Sequence, residues 1–405
     1  MRRTTLRAAL CAALLAVVSQ TSAAVPASAR GAGGHGDRSC VRTQRPLDAQ
    51  ARRVLDITRK AKADLRLNSV EVKVTRDGRE VLTDALGESM TGVPAEPDMH
   101  FRAGSVAFAH IGTALLQLVQ EHRVSLDDTV DRWLPDVPKA HEITLRMLAN
   151  NTSGLHDYVT DPAFLKELVP HPFRQWTPEQ LLAYPYSHSF WYEPGTNWSY
   201  SHANYLLLVS ALEKITGMPI QEFVKQRVTG PLGLRDTRPG FTPDIPQRVL
   251  HAFTSDRGFY EESTFWNPSW TTAPGAVITT HICDLARSAE GIGSGELLSP
   301  RAYRTLLNPG TVGLGGGTAR CPATICLKQT QAKHFGLGVI VVNGWILQNP
   351  SFSGYAAIQA YLPSKRLALA VSATKTATTP DGNQAEVVAE RIAAALAPGN
   401  PLAIS

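Results

Sequence analysis

Two short stretches of the chain carry side chains able to do nucleophilic or proton-transfer chemistry. Ser105 opens Ser105-Val106-Ala107-Phe108 at the head of an apolar, helix-patterned run, and Tyr200-Ser201-His202 heads a second run. A serine hydroxyl attacks a carbonyl efficiently only when a base within hydrogen-bond reach takes its proton. One helical turn on from Ser105, where such a base would share its face, stand Phe108 and Ala109, which bring none. His110 lies about 140° around the helix and reads as a packed histidine. Ser105 therefore has two readings, a nucleophile or a helix-opening serine whose hydroxyl caps free N–H groups. A phenol near pKa 10 is only about 0.1% ionised at neutral pH, so Tyr200 needs a nearby cation to take a proton. An imidazole titrates closer to neutrality, so His202 could supply that charge or act as the base itself.

Other chemistries lack their residues. There is no Gly-x-Ser-x-Gly elbow, no His-Glu-x-x-His and no Gly-x-x-x-x-Gly-Lys. Gly313-Leu314-Gly315-Gly316-Gly317 has no basic residue and no helix start beside it, so it reads as a surface loop rather than a phosphate cradle. No second Cys or His pair sits at metal-ligand spacing, and neither a metal nor a cofactor is expected.

The elements that must position these residues follow from periodicity. A helix is predicted from about Leu47 to Leu65, with Ala51, Val54, Leu55, Ile57 and Ala61 as its apolar stripe. Val70, Val72 and Val74 alternate with polar residues before Asp77-Gly78, a hairpin signature. From Ser105 to about Val228 the pattern is helical, broken by loops rich in Pro, Tyr and Trp. Strands return at Phe335–Val342, Tyr355–Leu362 and Leu367–Val371, and Ala385–Leu396 closes the chain as a helix. The simplest packing is one antiparallel sheet built from both ends of the chain, with the middle inserted as a helical lobe and a ligand crevice between the two.

At 405 residues, 43% hydrophobic and 19% charged, the composition is that of a globular protein. Residues 1–29 have the layout of an export signal: Arg2, Arg3 and Arg7, an apolar run Ala8–Val18, then small residues with cleavage expected after Ala24 or Ala29. That run is too short for a hydrocarbon core needing about 20 residues, and no later segment is long and apolar enough to span one. Without residues 1–29 the formal charge of +5 falls to +2, too weak and too dispersed to argue for nucleic acid. Residues 30–45 read as a flexible lead-in. Four cysteines follow the signal: Cys40, Cys283, Cys321 and Cys326. Export makes disulfides plausible, and the short Cys321–Cys326 spacing invites a local bridge; three pairings are formally open.

Beyond these readings, an ordered set of motifs resembles the serine β-lactamase family, more narrowly class C β-lactamases and secreted actinobacterial DD-carboxypeptidases. The set comprises Phe101-Arg102-Ala103-Gly104-Ser105, Val124-Ser125-Leu126-Asp127-Asp128, Thr152-Ser153-Gly154-Leu155, Glu193-Pro194-Gly195, Pro231-Leu232-Gly233-Leu234 and Gly354-Tyr355. It runs from about residue 46 to 398. The resemblance implies an α/β (α+β) fold of the β-lactamase/transpeptidase type, with 46–104 and 275–398 as the sheet lobe and 105–274 as the helical lobe. It also implies three catalytic elements. Ser-x-x-Lys is here Ser105 to Phe108, so a phenyl ring replaces the lysine. Tyr-x-Asn is Tyr200-Ser201-His202, and Asn204 lies two positions late for the amide role. Lys/His-x-Gly, counted back from Gly354, is Gln348-Asn349-Pro350. The oxyanion hole would use the backbone N–H groups of Ser105 and Ser351, which side-chain changes do not delete.

On this reading the chain is a secreted β-lactamase-related protein whose catalysis is impaired. Phe108, His202, Gln348, Asn349 and Ser351 line a cleft for a cell-wall peptide, a glycan or a partner. The alternative is an active esterase- or carboxypeptidase-like hydrolase in which Ser105 attacks a small ester or amide and Tyr200 and His202 relay the proton.

Overall fold

A computed structural model describes residues 40–271 and 277–404. The expected export signal and most of the lead-in lie outside them. The first helix, Ala49–Asp64, starts where Asp48 accepts the Ala51 N–H at 2.7 Å, and it buries Ala51, Val54, Leu55 and Ala61. Strand Leu67–Arg76 then turns through Asp77 and Gly78, with φ of 53° and 71°, into Arg79–Met90. Two successive positive φ values match the right-handed twist of a tight hairpin, which explains the Asp-Gly pair.

The predicted union of both chain ends in one antiparallel sheet is present. Leu67–Arg76 pairs with Leu367–Lys375, opposing Val72 to Val371, and Leu367–Lys375 pairs in turn with Tyr355–Leu362. Trp345–Gln348, Ile340–Val342 and Lys333–Phe335 continue the sheet on that side. One face buries Val70, Val72, Val74, Ile358, Leu369 and Val371 against the first helix and the last, Gln384–Leu396. Between those valines, Glu71 is also fully buried but on the opposite face, as the period of two requires.

One expectation changes. Phe335–Val342 is not a single strand, because Ile340 pairs back on Phe335 through a turn at 336–339. Gly338, at φ +79°, permits that reversal. The turn lies on helix Val106–Gln120 so closely that a Cβ on Gly338 would stand 2.1 Å from the Phe108 carbonyl oxygen. That helix is buried at 12 of its 15 residues, which makes it a core element rather than an amphipathic surface one.

Disulfides join Cys40 to Cys283 and Cys321 to Cys326. The first fastens the start of the described chain to helix Ile282–Gly293. Among the described residues, no helix is long and apolar enough to cross a membrane.

Candidate active site

Ser105 stands between strand Phe101–Ala103 and helix Val106–Gln120 with φ −62° and ψ −2°. A capping serine needs an extended backbone to swing its oxygen over the first free N–H groups. With helical angles Ser105 makes no such bond, and its Oγ lies 3.2 Å from the hydroxyl of Tyr200 instead. Tyr200 is held at the entrance to helix His202–Thr216, where Asn151 Oδ1 accepts the N–H of Ser201 at 3.2 Å and the side-chain N–H of Asn204 at 2.9 Å. Asn204 also accepts from Ser153 Oγ at 2.5 Å, so its amide is spent inside the protein. Burial pushes the Tyr200 phenol above its ordinary range, although the bond with Ser105 opposes the shift.

Phe108 does not line open space. Its side chain is fully buried and stacks on Tyr205, ring centroids 3.6 Å apart, with the rings of Tyr200 and His202 each at 6.1 Å. A ligand in the cleft cannot touch it, which corrects the expected contact role. His110 is buried too, with Nε2 2.8 Å from Ser288 Oγ, and burial lowers its pKa to about 4. It belongs to the packing behind the site, as its position around the helix required.

His202 has a partner that the motifs did not reveal. Its Nδ1 lies 3.0 and 3.1 Å from the two carboxylate oxygens of Asp157, and its main-chain N–H donates to the same group at 3.1 Å. Asp157 thereby caps the helix and fixes the imidazole with Nδ1 as donor, leaving Nε2 with no hydrogen bond among the described residues. The imidazole and the Tyr200 ring lie nearly perpendicular, centroids 5.2 Å apart. Asp157 sits in the loop before Tyr158–Thr160, 45 residues upstream, and the one available signal was an acid entering a loop that meets a helix N-terminus.

The third element also turns away from the cleft. Gln348 is buried and donates from Nε2 to the Gly338 carbonyl at 2.6 Å, while Asn349 donates from Nδ2 to Glu386 of the last helix at 2.7 Å. Neither side chain is free to hold a ligand, contrary to expectation: strand pairing commits Gln348 to the core, and the following residue points to the opposite face. Pro350 approaches the nucleophile instead, its Cβ 3.5 Å from where Gly104 would carry one. The Pro350 carbonyl accepts from Ala357 at 2.9 Å, and Ser351 opposes Ala356. By the alternation of an antiparallel ladder, the Ser351 N–H then faces away from strand Tyr355–Leu362. Ser351 itself is exposed.

An apolar cavity of about 220 Å³ opens nearby, lined by Val159, Leu165, Leu168, Trp266, Trp270 and Ser353 among others. Val159 and Ser353 bring it against the loop after Asp157 and the segment after Ser351, and Asp256 and Arg257 also stand in its wall.

A family model described as Beta-lactamase matches residues 54–394. The chain is 28% identical over 186 residues to D-alanyl-D-alanine-carboxypeptidase/endopeptidase AmpH of Escherichia coli K12, covering 44% of this chain and 47% of that one. It is 30% identical over 176 residues to Esterase EstB of Burkholderia gladioli, covering 40% and 44%. The chain thus spans about half the length of these curated relatives. Among solved structures, a D-stereospecific amidohydrolase from Streptomyces sp. superposes with a TM-score of 0.69 at 26% identity, covering 85% of this chain and 98% of that one.

Proposed function

Because the chain belongs to the beta-lactamase family, we propose that it is an exported member that binds an acyl-peptide or a small ester or amide in the family's cleft without turning it over efficiently. The observation that supports this most is the loss of the base. Phe108 stands fully buried where the family places lysine, and Ser105 Oγ has the Tyr200 hydroxyl as its one side-chain partner among the described residues. Burial keeps that phenol protonated, so nothing bonded to the serine can take its proton at neutral pH. Losing general-base assistance alone costs a factor of about 100 to 10,000 in rate. Gln348 and Pro350 also remove the cation and the glycine with which relatives receive a substrate carboxylate. Peptide and ester carbonyls are the ligand class because a carboxypeptidase/endopeptidase and an esterase stand among the relatives. The two disulfides favour export.

The test is covalent labelling of the purified protein with a fluorescent penicillin and a fluorophosphonate in parallel. Neither should mark Ser105 above the level of Ser105→Ala. A serine-dependent band with either reagent overturns the proposal.

One observation favours a second reading. The Asp157 carboxylate on His202 Nδ1 is the arrangement that orients a catalytic imidazole, leaving Nε2 as an acceptor on a ring whose centroid is 5.2 Å from that of Tyr200. On that reading Ser105 attacks a neutral ester, and Tyr200 and His202 relay its proton. Hydrolysis of short-chain aryl esters that falls in both Ser105→Ala and His202→Ala supports it; equal rates in parent and variants remove it.

A further inference from the structure

Far from Ser105 in function, though one short strand away in sequence, three segments converge on a second cluster of ligand-bearing side chains. His100 immediately precedes strand Phe101–Ala103, Asp236 lies in the loop before Arg238–Gly240, and His281 and Asp284 open helix Ile282–Gly293. One side-chain ligand atom each from Asp236, His281 and Asp284 fall within 4.8 Å of one another. The Asp236 carboxylate stands between two imidazoles, with His281 Nε2 3.4 Å from one oxygen and His100 Nε2 4.0 Å from the other.

An acid cluster at a helix start is ordinarily just a cap. His100 is what sets this one apart: it is 94% buried by its 6% exposure, and neither ring nitrogen has a hydrogen-bond partner among the described residues. Its backbone is pinned on both sides, the N–H donating to Arg248 at 2.6 Å and the carbonyl accepting from Leu250 at 2.9 Å. The main chain is therefore held where Nε2 lies 4.0 Å from the Asp236 carboxylate, and a buried imidazole without a partner is costly to keep.

We propose that His100, Asp236, His281 and Asp284 form a binding site for a divalent transition-metal ion, zinc being the best match. Two imidazoles and two carboxylates are a nitrogen–oxygen donor set of the kind zinc accepts in four-coordinate sites. The two carboxylates match the charge of a dication. Three of the four side chains are buried, whereas that of Asp236 is 47% exposed and gives the ion its way in. The donor set would use the second lone pairs that the present bonds leave open. Asp284 Oδ2 already accepts from the Asp236 N–H at 2.9 Å and from Thr237 Oγ1 at 3.1 Å, which orients the carboxylate as outer partners commonly do for metal ligands.

The histidine at the helix start must change its tautomer. His281 Nδ1 accepts the Asp284 N–H at 3.1 Å, so the ring proton is on Nε2, facing Asp236. A neutral imidazole that ligates through Nε2 carries its proton on Nδ1, and the Asp284 N–H then gives up this cap. Binding thus trades one helix-capping bond for four coordinate bonds. The result would be a structural staple joining the strand that leads into Ser105 to helix Ile282–Gly293, next to the Cys40–Cys283 bridge. Spacing along the sequence concealed the set because its members come from three segments rather than from one motif.

The experiment uses the full, untagged chain, freed of metal with EDTA and dialysed. Calorimetric titration with zinc chloride should show one tight equivalent, and cobalt(II) should give the visible absorption bands of a tetrahedral nitrogen–oxygen site. Asp236→Asn and His100→Gln should each weaken zinc at least about tenfold, with metal-free melting temperatures near the parent's. His141→Ala, at an exposed histidine, should change nothing. The proposal fails if the parent binds no stoichiometric zinc, or if both Asp236→Asn and His100→Gln bind it as tightly as the parent. Should His100→Gln fail to fold, the surface-reaching Asp236→Asn decides alone.

Discussion

Phe108 and Tyr205 stack face to face, their ring centroids 3.6 Å apart and their planes 7° from parallel. Tyr205 is anchored from behind by its hydroxyl, which donates to the Ala149 carbonyl at 2.7 Å. The position at which the family resemblance implies a charged lysine is thus part of the hydrophobic core. An ammonium introduced there would have no bonded carboxylate and would share its space with two phenols. The change from lysine to phenylalanine is consequently a change of packing as well as of chemistry.

That packing has a measurable size. Phe108→Ala should cost about 3 to 5 kcal/mol, the usual loss for emptying a buried phenyl site, read as a shift of the urea unfolding midpoint at unchanged slope. A loss below about 1 kcal/mol, the scale of ordinary surface effects, would mean that the ring lines open space after all.

The proton bookkeeping at Ser105 predicts a pH dependence. Among the described residues, the one side-chain partner of its hydroxyl is a phenol held protonated by burial. Any residual acylation by a fluorophosphonate should therefore rise steadily with pH from 6 to 9, following the growing deprotonated fraction. A sigmoidal rise that reaches a plateau within this range and is lost in His202→Ala would instead assign the base role to His202. Stopped-time labelling in gel at several pH values distinguishes the two shapes.

The turn over the nucleophile helix admits no side chain. Gly338→Ala places a methyl group 2.1 Å from the Phe108 carbonyl oxygen at a φ of +79°, so clash and left-handed strain act together. A loss of at least about 3 kcal/mol is expected, the strained backbone alone accounting for about 1 to 3. Gly310→Ala, also at positive φ but with nothing within 4 Å of the new methyl, is the control and should lose only the strain. Equal melting temperatures for the two variants would rule out the close approach.

The contrast between what the chain announced and what it concealed follows from the range of each interaction. The hairpin around Asp77-Gly78 was legible because alternation and turn chemistry are local. Ser105 and Tyr200 were legible as members of an ordered motif series, and their 3.2 Å approach follows from it. Asp157 was not, since its carboxylate reaches His202 only after a loop closes on a helix. Gln348 and Asn349 were misread for a related reason. Their motif positions point to the cleft, whereas strand register and the neighbours Gly338 and Glu386 decide where each side chain ends. The single-strand reading of Phe335–Val342 failed because a glycine turn of four residues leaves the hydrophobic pattern on both sides unbroken.

The two disulfides should differ in worth. Cys40–Cys283 spans 243 residues and Cys321–Cys326 only 5. In the chain-entropy account, closing the longer loop stabilises by about 5 kcal/mol and the shorter by about 2. Paired Cys→Ala variants compared by urea unfolding should rank in that order. The opposite ranking would show that the short loop, packed with Tyr192 and Trp191, contributes through native contacts instead.

Glu71 should make stability depend on pH in a direction opposite to that of most carboxylates. It is fully buried in strand Leu67–Arg76, and neither oxygen has a hydrogen-bond partner among the described residues. Burial holds its carboxyl well above the ordinary range; nearby Asp98 and Glu96 add to the shift, and Arg42 opposes it. The unfolded chain releases this proton near pH 4.3, about the ordinary value for a glutamate, while the folded protein retains it. The folded state is thus fully favoured below that pH and loses about 1.4 kcal/mol per unit as pH rises towards the folded-state value. Glu71→Gln keeps the shape but has no proton to lose. Its stability relative to the parent's should increase as pH rises above 5, with about that slope until the folded-state carboxyl itself ionises, measured by urea denaturation at each pH. A difference that stays constant across the range would mean that Glu71 ionises in the folded protein and finds a partner there.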